Sequence, residues 1–83
     1  MNPERAAKLG ALSELKSRAR HMAMLIDADI RAAKSALALS SVTEIEKLDI
    51  EEAAESLKRA SVNKADYLKL QGLIRDLREE LGE

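Results

Sequence analysis

From Leu9 onward, apolar residues recur at steps of three and four: Leu9, Leu12, Leu15, Ala19, Met22, Ile26, Ile30, Ala33 and Leu37. That spacing describes one face of an α-helix. On a seven-residue frame, Leu12, Ala19, Ile26 and Ala33 share one core position, and Leu15, Met22 and Ala36 share the other. Asp29 falls on that second position and interrupts it, which predicts an Arg or Lys partner that fixes register. Asn2 suits an N-cap, Pro3 the first helical position and Glu4 the positive end of the helix dipole. Gly10 weakens this start by about 1 kcal/mol relative to Ala. The pattern fades at Ser40-Ser41-Val42-Thr43, so a first helix is predicted over about residues 3–39.

Residues 40–48 read as a connection, with a single turn opened by Thr43 and supported by Glu46 three residues later. Asp49 and Glu52 repeat that capping spacing and predict the start of a second helix. Its early inward positions are expected at Ile50, Ala53, Ala54, Leu57 and Ala60. Tyr67, Leu70, Leu73, Ile74, Leu77 and Leu81 continue on one side, and Gly82 suits a C-terminal cap. Gly72 lies inside the helix, where it would allow a close backbone approach. Ser61-Val62-Asn63 are weak helix formers, and Asn63 with Asp66 could cap a separate third helix. The absence of Pro and Gly there favours one continuous helix over about residues 50–81; the alternative is a three-helix bundle broken near residues 61–63. Helices of these lengths would run about 55 Å and about 48 Å. Matched lengths and a short connection predict an all-α antiparallel helical hairpin, with residues 1–83 as one domain.

Composition sharpens this picture. The chain has no Trp, Phe or Cys and one tyrosine, Tyr67, so there is little bulk to bury or to line a substrate pocket. A chain of 83 residues forms a thin core, and small scaffolds usually add a disulfide, a metal or a partner chain. Without Cys, and with His21 as the only histidine, disulfides and a Cys/His zinc set are excluded. A partner is what remains, and a homodimer or a heterologous helical protein is expected. Leu25, Leu39, Ile45, Leu68 and Leu73 fall off the main seam and are the candidate interaction residues. No apolar run approaches the roughly 18 residues of a spanning helix, and the first residues do not resemble a secretory signal, so a cytoplasmic protein is expected.

Charge and candidate chemistry add one alternative. The net charge is −1, but residues 1–40 are basic and residues 41–83 acidic. Lys16, Arg18 and Arg20 form the densest basic segment and are the candidate basic surface for a second reading, contact with nucleic acid or a nucleic-acid-bound protein. The acidic pI and the single tyrosine argue against nucleic acid as the main partner. Membrane-surface binding by the first helix is disfavoured by its lack of Trp and Phe and by Glu14, Asp27 and Asp29. His21 lacks an orienting acid nearby in sequence and reads as a surface residue. Asp27 and Asp29 open like a calcium loop, but Ala32 and Ala38 stand where that loop needs Gly and Glu. The carboxylate groups lack the Glu-x-x-His pairing of di-iron bundles. No catalytic, metal or cofactor site is expected.

Overall fold

A computed structural model describes residues 2–38 and 42–83. Helix α1 spans Pro3–Ala36, a 3₁₀ turn spans Val42–Lys47, and helix α2 spans Ile50–Leu81. No strand occurs among the described residues. The two helices pack antiparallel as a rod of 66 × 16 × 15 Å. Its radius of gyration, 18.9 Å, far exceeds the roughly 12 Å of a compact domain of this length.

The helix ends follow the capping residues. Asn2 Oδ1 accepts the Glu4 backbone N–H at 2.9 Å, and Pro3 occupies the first turn. Asp49 Oδ1 accepts the Glu52 backbone N–H at 3.0 Å. Gly82 adopts φ 76°, the left-handed conformation that lets its N–H return to the carbonyls of the last turn. Helix α1 stops at Ala36, short of the expected residue 39, where Leu37 leaves helical geometry at φ −101° and ψ 1°. The short turn expected in the connection is the 3₁₀ segment; the Thr43 capping side chain lies outside the described residues. Helix α2 runs unbroken through Ser61-Val62-Asn63, which sets aside the three-helix alternative. Their low propensity is overridden by seam positions that continue on both sides.

The core is unevenly filled. At the end carrying the chain termini, Leu12, Ala19, Leu70, Ile74 and Leu81 form a buried cluster, with Leu9, Leu15, Met22, Tyr67 and Leu77 packed around it. Arg5 reaches across there and donates to the Leu81 carbonyl at 3.1 Å. At the connection end the buried residues are small: Ala33, Ala53, Ser56 and Ala60. The seam of α1 is the expected one as far as Ala36, Asp29 included; Leu37, the last residue of the expected stripe, lies past the helix end and is exposed.

The early seam of α2 differs from expectation. Ile50, Ala54 and Leu57 are exposed, and Ser56 is inside with no exposed surface. Leu73, counted both on the α2 stripe and among the off-seam residues, takes the off-seam position and faces outward. Helix α2 is continuous, so its large terminal residues Tyr67, Leu70, Ile74 and Leu81 set one rotation for the whole rod. Stepping back from them by threes and fours reaches Asn63, Ala60, Ser56 and Ala53, not Leu57. Gly72 provides no close approach either: a Cβ there would meet nothing within 4 Å.

Candidate interaction surface

The small-residue end of the seam is held by one polar network. Asp29 projects from α1 into the seam, and Arg59 of α2 meets its Oδ1 through Nε at 3.2 Å. The Arg59 Nη2 also donates to Ser56 Oγ at 3.1 Å, so the fully buried hydroxyl has a partner. The register partner anticipated for Asp29 is therefore Arg59. Asp27, two residues earlier and on the outer face, pairs on the surface with Arg31 at 2.9 Å. Such exposed pairs contribute at most about 1 kcal/mol.

Two flanks border the seam, and their charges are sorted. On one side, Lys16, Arg20 and Ala23 of α1 face Tyr67, Gln71 and Arg78 of α2 across a shallow groove. The groove continues past Ile26 to Lys64 and Leu68. Following the helical repeat, this flank carries Lys16, Arg20, Lys34, Lys64, Arg75 and Arg78 against a single acid, Asp27, a net charge of +5. The opposite flank carries, at its own positions, seven carboxylates against Arg18, Arg59 and Lys69, a net charge of −4, with Arg5 and Lys8 reaching in from the seam beside Glu4 and Glu80. Glu4 and Glu14 come from α1; Glu52, Glu55, Asp66, Asp76 and Glu80 come from α2. Every group counted in these two net charges is exposed.

The candidate residues divide between these surfaces. Lys16 and Arg20 share the positive groove, but Arg18 does not. It sits on the other flank beside His21, Met22 and Leu70. Residues 16, 18 and 20 step by 200° around a helix, so they cannot form one patch. Arg78, distant in sequence, takes the place expected for Arg18. Leu68 is exposed on the positive flank, and Leu25 and Leu73 on the negative one. Ile45 is exposed in the 3₁₀ turn, and Leu39 lies outside the described residues. Sequence reasoning missed Ile50, Leu57 and Val62, which are 61, 47 and 58% exposed. Running the Tyr67–Leu81 frame backwards would have found them.

Among the described residues, no three His, Asp or Glu side chains converge as metal ligands. His21 is exposed, and among the described residues no ion pair involves it. No helix among the described residues is long and apolar enough to cross a membrane. The chain matches no protein-family model, no curated protein and no solved structure. Geometry and charge are what carry the functional reading.

Proposed function

We propose that this chain is a non-enzymatic, cytoplasmic assembly module that works by helix-face packing and associates with itself as a coiled-coil homo-oligomer, a dimer at minimum. The observation that carries this reading is the inverted filling of α2. Its first half buries Ala53, Ser56 and Ala60 and leaves Ile50, Leu57 and Val62 in water. A helix serving only a monomeric hairpin would gain by the reverse arrangement, since each large aliphatic side chain is worth about 1.5–3 kcal/mol when buried. The total surface supports the same conclusion. The rod exposes 6307 Å², whereas a compact monomer of this mass exposes roughly 4,900 Å². That surplus of roughly 1,400 Å² per chain exceeds the roughly 800 Å² that each partner contributes to a standard interface.

Sedimentation equilibrium from micromolar to near-millimolar protein tests the reading. Mass that rises with concentration supports it; a single-chain mass throughout sinks it.

The positive groove favours a second reading, a regulator contacting nucleic acid or a nucleic-acid-bound protein. It differs from the sequence expectation in using Arg78 of α2 beside Lys16 and Arg20. Binding that weakens steeply with salt, and that is lost on neutralising those three but not Arg18, would favour it.

A further inference from the structure

The two flanks of the rod carry opposite charge, and this constrains how copies can meet. A two-fold dimer made through the positive flank would set +5 against +5 if the flanks overlapped fully. One made through the negative flank would set −4 against −4. Both juxtapositions are repulsive, and like-charge contacts cost several kcal/mol at protein interfaces. Only the unlike pairing is attractive along the length of the rod. Each flank also offers apolar side chains to bury: Leu57 and Leu68 on the positive side, Leu25, Val62 and Leu73 on the negative. Ion pairs already engage Asp27, Arg59, Arg75, Asp76 and Glu80, and others on both flanks stay uncommitted. Among the described residues, Lys16, Arg20, Lys64 and Arg78 have no intramolecular ion pair, and neither do Glu14, Glu55 or Asp66.

We infer that the positive flank of one hairpin docks on the negative flank of a second copy, in a heterologous contact that repeats. The inference rests on the self-association proposed above and adds its mode. Because each copy keeps one unused flank, assembly passes beyond two chains, as a ring or as a stack. A nucleic-acid phosphate backbone competes for the positive flank only, so it would cap the assembly rather than extend it.

Two triple variants of the full chain test this. Lys16→Glu/Arg20→Glu/Lys64→Glu reverses the positive flank; Glu14→Lys/Glu55→Lys/Asp66→Lys reverses the negative one. All six positions are exposed, and far-UV circular dichroism verifies that both variants remain helical. Sedimentation velocity then compares wild type, each variant alone and their equimolar mixture. Wild type is expected to exceed the mass of two chains at high concentration. Its association should weaken on the order of tenfold or more between low and high salt. Each variant alone should be a monomer, and mixing should restore association.

A wild-type mass that stops at two chains, or a variant that associates alone as well as wild type, overturns the heterologous mode and leaves self-association standing. A wild-type monomer at every concentration overturns both. In that case, salt-dependent binding of a fluorescent DNA duplex, lost only in the positive-flank variant, would assign that flank to a polyanion.

Discussion

Leu57 and Ile74 occupy the same helix and are both large and aliphatic, yet they should respond differently to truncation. Ile74 is 4% exposed in the terminal cluster. Its change to Ala removes buried methyl groups and leaves a cavity, at a cost of about 2–5 kcal/mol at any protein concentration. Leu57 is 47% exposed, so in the isolated hairpin about half of a leucine's burial, about 1 kcal/mol, is at stake. If docking covers the other half, truncation removes about 1 kcal/mol more per copy once chains associate. In a domain of this size, 1 kcal/mol moves the melting temperature by about 4–8 °C. Thermal unfolding followed by circular dichroism, at low-micromolar and near-millimolar protein, separates the two cases. The Ile74→Ala shift should be large and the same at both concentrations. The Leu57→Ala shift should roughly double at the higher one. An equal Leu57→Ala shift at both concentrations would mean that Leu57 stays in water in the assembled protein, and the argument from inverted filling would fall.

Asp29→Leu keeps the shape of the side chain but removes its charge from the seam, and Arg59, 52% exposed at its side chain, can keep its bond to Ser56 Oγ while its other N–H groups turn to water. With Arg59 half in solvent the pair is worth at most about 1 kcal/mol, whereas a leucine in the seam adds roughly 1.5–3 kcal/mol of burial, so urea denaturation should give a gain of about 1 kcal/mol, while Asp29→Ala should lose about the same. Gly72→Ala fills open space in a helix interior and should add about 1 kcal/mol; destabilisation in the same assay would reveal an unseen close neighbour. Asp49→Ala removes the oxygen that caps Glu52 and should cost about 1 kcal/mol, with Asp49→Asn close to wild type. Faster amide exchange over the first turn of α2 in the alanine variant alone would locate that loss.

The hairpin was legible in the sequence because its signals are local and redundant. Asn2-Pro3, Asp49 and Gly82 each mark a helix end by a known capping chemistry, and the α1 stripe keeps phase for more than 20 residues. Asp29 was readable as a seam residue for the same reason. The first half of α2 was not, because Ala, Ser and Leu alternate there and two phases fit about equally well. Hydrophobicity chose the phase that buries Leu57; the structure takes the one dictated by Leu70 and Ile74, about four to five turns away on a rigid helix. The charge pattern was misread in a similar way. Dividing the chain into basic and acidic halves follows the sequence order, whereas antiparallel packing sorts charges by their angular position on each helix. Lys16 and Arg78 are far apart along the chain and border one groove. Arg18 and Arg20 are two residues apart and do not.

The uneven core links these observations to function. The terminal end holds the Leu, Ile and Tyr residues and closes with Arg5 on the Leu81 carbonyl. The connection end fully buries only alanines and one serine, beside half-buried Ile26, Ile30 and Leu48 and a polar bridge that is largely in solvent on the Arg59 side. Burial of an alanine contributes far less than burial of a leucine, so the connection end draws less stability from its own seam than the terminal end does. It is also where Ile50, Leu57 and Val62 stay uncovered. A longer-packed alternative that buried these residues would make the connection end self-sufficient and leave nothing apolar for a partner. The existing arrangement does the reverse. The terminal cluster holds the large buried side chains, while the connection end leaves Ile50, Leu57 and Val62 exposed. Under the self-association proposed above, docking would complete the packing that the single chain leaves open, and the charged flanks would decide which surfaces meet.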